Sequence, residues 1–255
     1  MNSIVRTLQR WLRPLERTPL HPQWLVLRHR RDISAWIVEH AQGTLVDVGC
    51  GNGRLRSELP PAVRYIGVDY PATVALGYVG TADIYADAAR LPIAAGSVDV
   101  VTLLDVLEHL RDPASAVAEA GRTLRAGGKC LVHVPFLYPL HDEPHDYQRW
   151  TCHGLRNLFS SAGFAVTEIS ETTHPVEAAA ALLSIALASG VAQAIGTRRA
   201  VVLLAPLVSA MVPIVNLVGW MLARVLPSSP FMPFSYRLLA EKINDSSCPR
   251  APRTS

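Results

Sequence analysis

Apolar and polar positions alternate in two distinct ways between residues 32 and 174. Apolar residues at three- and four-residue spacing predict helices over residues 32–42, 113–124 and 152–162. Short runs rich in apolar residues predict strands that are buried on both faces of a sheet, and these runs are residues 44–48, 65–68, 83–86, 98–104, 129–134 and 164–171. Strands that alternate with helices predict an α/β fold, in which a mainly parallel sheet has helices on both faces.

Beyond residue 174 the pattern changes to two uncharged apolar stretches, residues 178–197 and 200–223, with Arg198 and Arg199 between them. Each stretch is close to the ~20 residues that a helix needs to cross the hydrocarbon of a bilayer. A strand-like pattern returns at residues 234–242. The chain therefore carries an apolar helical insertion ahead of its last predicted strand.

The first 31 residues are basic and amphipathic, with arginines opposite apolar residues at helical spacing. Pro14 would kink or end such a helix. Two interpretations stay open: a helix docked on its own domain, or a helix lying on an anionic membrane surface, which arginines opposite a tryptophan favour. Residues 244–255 are polar and have the composition of a frayed tail.

Composition narrows the class of protein. Of the 255 residues 49% are apolar and 18% are charged, which suits one well-buried domain with an apolar appendage and excludes a disordered chain. A net charge of +3 is too small to indicate a nucleic-acid partner. The four cysteines form no C-x-x-C pair, so we expect no metal site, no disulfide framework and a reducing compartment. No secretory signal pattern is visible, which predicts that the main domain faces the cytoplasm.

The loop after the first strand carries glycine at alternate positions, Gly49, Gly51 and Gly53. Glycines let the backbone turn sharply and approach a ligand without Cβ clashes, and a helix starting beyond them would offer free N–H groups to an anion. A dinucleotide-binding loop has its third glycine where Arg54 stands, so the spacing speaks against NAD. The tighter loop suits a zwitterionic amino-acid tail, whose ammonium group Asp47 can help to hold through water.

Further candidates lie at the ends of the next strands. Asp69 ends the second strand, where a carboxylate can accept both hydroxyls of a ribose. Asp87 and Ala88 follow the third strand, where the carboxylate and the Ala88 N–H can bind an adenine. The backbone of Leu104 and Asp105, at the end of the fourth strand, would line the amino-acid end of the same ligand.

Five segments in a fixed order carry a family resemblance: VDVGCGNG, GVD, DAARLP, SVDVVTLLDVLEHL and LRAGGKCLVHVP. Over residues 44–135 the chain resembles a class I S-adenosylmethionine-dependent methyltransferase of the methyltransferase type 11 family. The resemblance implies a Rossmann-like seven-stranded sheet and S-adenosyl-L-methionine as the cofactor. It also implies that the strand-end residues named above bind this cofactor, namely Asp47, Gly49, Gly51, Gly53, Asp69, Asp87, Ala88, Leu104 and Asp105.

The segment 135–151 follows the carboxyl end of a predicted strand and is dense in titratable and aromatic side chains. It resembles the H-x-x-P-x-D-Y-x-R-F/W-T stretch of a methyltransferase subgroup that is tied to glycan and lipid assembly. Transfer of a methyl group to a hydroxyl requires a base that removes the proton. His141 or His145 is the expected base, and Asp146 would orient it or bind the acceptor.

The same segment offers groups for the methyl acceptor. We expect Tyr147, Arg149 and Trp150 to hold an anionic or sugar-bearing acceptor. The alternative is a purely structural loop, in which Asp146 pairs with Arg149 and the histidines cap the helix that begins at Thr151.

In the fold that the resemblance implies, the last two strands form an antiparallel hairpin, so here the apolar insertion would lie between them. If both stretches spanned a membrane, the arginine pair at 198–199 would lie on the far side, against the positive-inside tendency. We predict a helical hairpin that dips into or lies against one leaflet. An oligomerisation hairpin, an apolar lid over a lipid acceptor and a two-span anchor are the alternatives.

The sequence divides into five predicted parts. They are a basic segment 1–31, the cofactor-binding core 32–174, the insertion 175–230, the last core strand 231–243 and a tail 244–255.

The sequence thus predicts a methyltransferase attached peripherally or monotopically to the cytoplasmic face of the inner membrane. Its acceptor would be a small molecule or a lipid- or glycan-linked compound, methylated at oxygen. One alternative is a soluble dimeric methyltransferase of secondary metabolism, whose hairpin forms the homodimer interface. Another is a non-catalytic cofactor-binding module that anchors partners at a membrane.

Overall fold

The computed structural model describes residues 13–76, 80, 82–197 and 200–243. The chain forms two compact units. The larger one, here called the sheet unit, consists of Ile33–Pro135, Pro144–Ser170 and Tyr236–Ser255. The other, here called the hairpin unit, consists of Met1–Asp32, Phe136–Glu143 and Glu171–Ser235. The arginine pair at 198–199 and the first half of the predicted N-terminal helix lie outside the described residues.

Seven strands form one sheet: β1 (Thr44–Val48), β2 (Arg64–Asp69), β3 (Ile84–Tyr85), β4 (Val98–Leu104), β5 (Leu124–Pro135), β6 (Phe164–Glu171) and β7 (Ser235–Lys242). Their order is β3-β2-β1-β4-β5-β7-β6. Neighbouring strands from β3 to β5 are parallel. Backbone hydrogen bonds join Thr172 to Ser235 at one end of the last pair and Gly163 to Ile243 at the other, so β6 and β7 are antiparallel. The α/β fold with an insertion before its last strand is confirmed.

The helices are α1 (Trp24–Leu27), α2 (Arg30–His40), α3 (Pro113–Thr123), α4 (Cys152–Ser161), α5 (Pro175–Gly196) and α6 (Ala205–Val225). Side-chain caps fix two of their starts. Oδ1 of Asp112 accepts the N–H of Ser115 at 3.1 Å, ahead of a proline in the first turn of α3. Oγ1 of Thr151 accepts the N–H of Gly154 at 3.1 Å, so a threonine rather than a histidine caps α4. The three helices predicted before residue 174 are confirmed to within two residues.

Two local expectations were wrong. The helix expected after the glycine loop is only a four-residue 3₁₀ helix, Arg54–Ser57. Pro60 and Pro61 lie shortly after it, and proline disfavours the helical conformation both at its own position and at the residue before it. Residues 125–128, which lie between the predicted helix 113–124 and the predicted strand 129–134, belong to β5, where the register against β4 shifts between Leu124 and Lys129. A bulge of this kind adds residues to one strand without ending the pairing.

The core of the sheet unit lies where α2 packs against the middle strands. Burying one such aliphatic or aromatic side chain stabilises the fold by about 1.5–3 kcal/mol. The cluster consists of Trp36, Ile37, Leu45, Leu55, Val100, Leu131 and Leu239. It fixes β1, β4, β5 and β7 against one another, so the strand ends that carry the candidate site form a rigid edge.

The hairpin unit is built on two long antiparallel helices, α5 and α6. Oγ of Ser184 donates to Oδ1 of Asn216 at 2.9 Å in their buried interface. A Cβ at Gly219 would lie 2.4 Å from the Cβ of Ala180, so the helix backbones approach closely there. Among the described residues two helical segments are long and apolar enough to cross a membrane, Pro175–Gly196 and Val202–Val225, with mean hydropathies of 1.9 and 2.1. The helical hairpin itself is confirmed, and its placement against a membrane leaflet stays a prediction.

The N-terminal segment docks on this hairpin through polar contacts. Glu177 of α5 is buried and binds Nη1 of Arg28 at 2.7 Å and Nε2 of His29 at 3.2 Å. Nδ2 of Asn216 donates to the carbonyl oxygens of Pro19 and His21 at 2.7 and 3.0 Å. The described part of the segment therefore packs on its own chain, whereas most of the amphipathic helix to which the two interpretations refer lies outside the described residues.

Candidate active site

The glycine loop lies at the carboxyl end of β1 and is bound to β2. The N–H groups of Gly49 and Cys50 both donate to the carbonyl oxygen of Val68, at 2.8 and 3.0 Å. Gly49, Gly51 and Gly53 have φ angles of 78°, 53° and 63°, a conformation that residues with a Cβ rarely adopt. The bend therefore requires glycine at the three positions that the sequence singled out.

Asp69 ends β2, and its carboxylate lies against the middle of the glycine loop. Oδ2 accepts the N–H of Gly51 at 2.8 Å, and Oδ1 accepts the N–H of Tyr70 at 2.7 Å. The residue is buried. Each carboxylate oxygen can accept more than one hydrogen bond, so the same group retains the capacity to accept the hydroxyls of a ribose. The structure thus brings two predicted site residues into direct contact.

Two further chain segments pack on this loop. A Cβ at Gly49 would lie 2.3 Å from Cγ2 of Val106, the second residue after β4. The N–H of Gly80 donates to Oδ1 of Asn52 at 3.2 Å, and a Cβ at Gly80 would lie 2.1 Å from the carbonyl oxygen of Gly51. Sequence reasoning missed both Val106 and Gly80. The conformation of the loop therefore depends on segments that follow β2 and β4.

Asp47 lies inside the sheet unit, between two hydroxyl groups from the strands beside β1. Oδ1 accepts the hydroxyl of Thr102 at 2.7 Å, and Oδ2 accepts the hydroxyl of Tyr65 at 2.8 Å. Burial raises the pKa of Asp47, while the bonds from Thr102 and Tyr65 act in the opposite direction. The carboxylate thus joins β1 to β2 and β4, and its role toward an ammonium group remains a prediction.

Asp87 and Ala88 form a tight turn after β3. Oδ1 of Asp87 accepts the N–H of Ala89 at 2.9 Å. The N–H of Ala86 donates to the carbonyl oxygen of Asp69 at 2.9 Å. Asp87 is exposed and Ala88 is half-buried. The two residues predicted to bind an adenine therefore lie beside the end of β2, where the ribose is expected.

Leu104 ends β4, and Asp105 follows it with a φ of 54°, which is uncommon for a residue with a side chain. Its N–H donates to the carbonyl oxygen of His133 at 2.8 Å, and its Oδ1 lies 2.7 Å from Nδ1 of His133. Burial lowers the pKa of His133, but the carboxylates of Asp105 and Glu108 outweigh it, so the net shift is upward. Strained non-glycine residues cluster at functional sites. His133 was missed, although a histidine inside an apolar strand was a visible signal.

The sheet-unit part of the predicted acceptor segment is tied to the residues that follow β4. The backbone N–H of Tyr147 donates to the carbonyl oxygen of Glu108 at 2.8 Å, and Nε2 of Gln148 donates to the carbonyl oxygen of Leu110 at 2.9 Å. Two side chains of the segment after β4 add further contacts. Nε of Arg111 donates to the hydroxyl oxygen of Tyr147 at 3.1 Å, and Nδ1 of His109 lies 2.9 Å from the carbonyl oxygen of His145. Because both backbone and side chains take part, residues 144–151 are held firmly to the end of β4.

The two candidate bases belong to different units. In the sheet unit, Nδ1 of His145 lies 3.1 Å from the hydroxyl oxygen of Tyr147. The tautomer that donates from Nδ1 leaves Nε2 as the basic nitrogen. In the hairpin unit, Nδ1 of His141 lies 3.2 Å from the carbonyl oxygen of Pro139, and its ring stands edge-on to Tyr138 with the centroids 5.0 Å apart. Both histidines have a partner that sets the orientation of the ring.

Asp146 forms a two-pronged ion pair with Arg149. Nη2 of Arg149 donates to Oδ2 at 2.7 Å, and Nη1 donates to Oδ1. The Asp146 carboxylate is almost fully buried. Nε1 of Trp150 is buried and has no hydrogen-bond partner within the described part of the chain. The pairing that the sequence offered as a structural alternative is therefore present, beside an indole donor that a ligand could use.

The carboxyl ends of β1, β2 and β4 together carry the glycine loop and the carboxylates of Asp69 and Asp105. Ligands of parallel sheets bind at this edge. Carboxylates and open backbone suit a ligand that bears both hydroxyl groups and positive charge. His145, the predicted proton acceptor, lies on the neighbouring segment that is bound to the residues after β4.

Comparison with known proteins agrees with this reading. Residues 46–132 match a family model described as a methyltransferase domain. A probable S-adenosylmethionine-dependent methyltransferase of Mycolicibacterium smegmatis is 35% identical over 141 residues, which cover 51% of this chain and 55% of that protein. A ubiquinone biosynthesis O-methyltransferase of Nitrosococcus oceani is 37% identical over 95 residues, covering 33% of this chain and 40% of that protein. The chain thus spans about half the length of the first relative and less of the second.

A solved structure shows the same architecture. The crystal structure of a SAM dependent methyltransferase from Archaeoglobus fulgidus superposes with a TM-score of 0.52, covering 86% of this chain and 94% of that one, at 15% sequence identity. A likeness at this identity concerns the fold alone, and it confirms the predicted fold class.

Proposed function

We propose, from the match of residues 46–132 to the methyltransferase domain family, that this chain is an S-adenosylmethionine-dependent methyltransferase. The observation that carries the proposal is the contact between the glycine loop and the end of β2, where the N–H of Gly51 binds the carboxylate of Asp69. S-adenosylmethionine supplies an electrophilic methyl group on a sulfonium, and the chain's own residues bind, orient and deprotonate.

The residues present fit this cofactor. The positive φ angles of the glycine loop open its backbone to a ligand, and Asp69 places a buried carboxylate beside it for the ribose hydroxyls. Asp87 and Ala88 would bind the adenine. The methionine end would be held by Asp47, Gly49, Gly51, Gly53, Leu104 and Asp105.

The acceptor is proposed to be a hydroxyl compound. The name of one relative, a ubiquinone biosynthesis O-methyltransferase, supports transfer to oxygen. Nε2 of His145 would take the hydroxyl proton while Tyr147 orients the ring through Nδ1. His141 is the second candidate for the base. Asp146, Arg149 and Trp150 would shape the acceptor side, with the ion pair fixing the loop and the buried indole donating to a sugar or phosphate group.

The enzyme is further proposed to work at the cytoplasmic face of the inner membrane, attached peripherally or monotopically. The length and hydropathy of α5 and α6 support this placement. A lipid-linked acceptor, presented at the same surface, is the substrate class that fits it best. The alternative is that the hairpin forms the interface of a homodimer.

Calorimetric titration of the full chain with S-adenosylmethionine tests the cofactor site. Asp69→Ala should weaken binding about tenfold or more, because a carboxylate that accepts hydroxyls in a buried site contributes about 1.5–3 kcal/mol. Asp32→Ala, at a carboxylate with 73% exposure, serves as the matched control and should bind like the unchanged chain. Unchanged affinity in Asp69→Ala would refute the ribose assignment.

The activity itself is tested with methyl-labelled S-adenosylmethionine and lipid or metabolite extracts, followed by mass spectrometry of the product. Label in a lipid-linked compound is the expected outcome. Label only in water-soluble metabolites would support the dimeric enzyme of secondary metabolism. Cofactor binding without turnover on any extract would support the non-catalytic module and contradict the proposal.

A further inference from the structure

The exposed faces of α5 and α6 differ in chemistry. On α5 only two large apolar side chains, Leu183 and Ile195, are exposed, and the other exposed positions are small or polar, such as Ser189 and Gln193. On α6 eight large apolar side chains are exposed, namely Leu207, Met211, Ile214, Leu217, Val218, Met221, Leu222 and Val225. The apolar surface of the hairpin is therefore carried by one helix.

The exposed residues of α6 form a continuous stripe, here called the apolar stripe. At 100° per residue they cluster around the side of the helix opposite Asn216. The buried face holds Val212, Asn216 and Gly219, and it packs on α5 through the Ser184–Asn216 hydrogen bond. Apart from Val212, the buried residues of α6 are thus small or polar, while large apolar ones are exposed, the reverse of a helix that packs on a water-soluble core. Over 21 residues the stripe is about 30 Å long.

A hairpin inserted through the hydrocarbon would have lipid around both helices. Gln193 and Ser189 on the exposed face of α5 would then lie against lipid tails, where polar groups without partners are costly. A hairpin lying in the interface, with the stripe toward the lipid and α5 toward water, leaves these groups hydrated. The asymmetry between the two helices favours the second arrangement.

Aromatic and basic side chains flank the base of α6. The guanidinium of Arg224 lies 3.6 Å from the centroid of the Trp220 ring, and Trp24 stands 6.3 Å from the same ring. The guanidinium of Arg28, from the N-terminal segment, lies 6.0 Å from the centroid of the same ring. Tryptophan and arginine beside an apolar stripe are typical of helices on anionic membranes. The exposed Arg224 makes this end of the stripe positive, so charge complementarity favours an anionic lipid surface as its partner.

We propose that α6 lies in the headgroup region of an anionic phospholipid membrane with its apolar stripe toward the lipid, while α5 faces water and neither helix spans the bilayer. This inference rests on the membrane location in the proposed function and is independent of methyl transfer. In this arrangement α6 is long enough to span a membrane but lies along its surface.

Flotation of the full chain with vesicles tests this orientation. Vesicles of phosphatidylglycerol and phosphatidylcholine should carry the protein, and Ile214→Glu in the middle of the stripe, at 61% exposure, should lower the partition coefficient about tenfold or more. Ala186→Glu on the exposed face of α5 should leave it unchanged. Ile243→Glu in the sheet unit, at 42% exposure, is the matched control for the same chemical change. Arg224→Gln should lower binding about fivefold, and only with anionic vesicles.

Three outcomes would overturn the proposal. Equal losses in Ala186→Glu and Ile214→Glu would show that lipid surrounds both helices. Failure of the unchanged chain to float would exclude the membrane. A dimer in analytical ultracentrifugation that Ile214→Glu dissociates, without vesicle binding, would assign the stripe to a second copy. Titration of each variant with S-adenosylmethionine separates these results from a failure of the cofactor site, since the substitutions lie outside it.

Discussion

Nδ1 of His133 lies 2.7 Å from Oδ1 of Asp105, so a buried residue of β5 holds the first residue after β4. The backbone repeats the link, since the N–H of Asp105 donates to the carbonyl oxygen of His133 at 2.8 Å. The next residue, Val106, packs on Gly49 of the glycine loop. This pair therefore fixes the turn on which the cofactor loop and the acceptor segment both depend.

The pair should make stability depend on pH. Because the pKa of His133 is raised above its usual 6.5, the contribution is fully present below about pH 6.5 and is lost as pH rises through the folded-state value. His133→Leu should cost about 1–2 kcal/mol at about pH 5.5 and less at about pH 8.5, as measured by urea unfolding. His133→Asn, whose amide can donate in place of Nδ1, should keep the bond but lose the pH dependence. A difference between the unchanged chain and the leucine variant that is constant over this range would contradict the ion pair.

Substitutions at two glycines of the same loop distinguish the cost of backbone strain from the cost of a steric clash. Gly53 has a positive φ and no atoms within 4 Å of a would-be Cβ, so Gly53→Ala should cost only about 1 kcal/mol for the left-handed conformation. At Gly49 the Cβ would also lie 2.3 Å from Cγ2 of Val106, so Gly49→Ala should cost about 1–3 kcal/mol more. Urea unfolding of both variants measures the difference.

A second substitution checks the cause of that difference. Val106→Ala in the Gly49→Ala background removes Cγ2, and the nearest remaining atom of Val106 then lies 3.5 Å away. The double variant should recover the steric part of the loss and keep the conformational part. If Gly49→Ala costs no more than Gly53→Ala, the close packing of the loop against Val106 is not present in solution.

The elements of the sheet unit could be predicted because their signals are local. The predicted strands Val98–Leu104 and Phe164–Glu171 were both confirmed residue for residue. The glycine loop and Asp69 were likewise visible, since both follow strand ends. Tyr65, Thr102 and His133 were missed because each acquires its role from a partner on, or directly after, a neighbouring strand, and only the pairing of the strands brings the partners together.

The hairpin shows the same limit. Length and hydropathy predicted two apolar helices, but the composition of either stretch does not reveal which face is buried. That choice depends on Asn216, whose amide donates to Pro19 and His21 at the other end of the chain. The orientation of the apolar stripe therefore follows from a tertiary contact, and periodicity alone could not supply it.

Asp47 depends on its two hydroxyl donors. Thr102→Val keeps the shape of the side chain but removes a bond to a buried carboxylate, which should cost about 1–3 kcal/mol at neutral pH. The pKa of Asp47 is already raised by burial, so the loss should shrink as pH falls and the carboxylate takes up a proton. In the Asp47→Asn background Thr102→Val should cost clearly less, and this double-mutant cycle is measured by urea unfolding. Equal costs in both backgrounds would show that the bond contributes nothing.

The base assignment predicts different effects for two neighbours. His145→Ala should lower kcat about 100-fold or more while leaving the affinity for S-adenosylmethionine unchanged, because a general base acts only on the acceptor. Tyr147→Phe removes the hydroxyl 3.1 Å from Nδ1 but keeps the ring, so kcat should fall by a smaller factor. Arg111 donates to the same hydroxyl at 3.1 Å, and Arg111→Gln controls for loss of that contact alone.

Single-turnover kinetics with a labelled methyl group measures the rate of methyl transfer in these variants, and calorimetry measures their affinity for S-adenosylmethionine. If kcat is unchanged in His145→Ala and falls in His141→Ala, the base is His141 of the hairpin unit. If kcat is unchanged in both variants, neither histidine is the base.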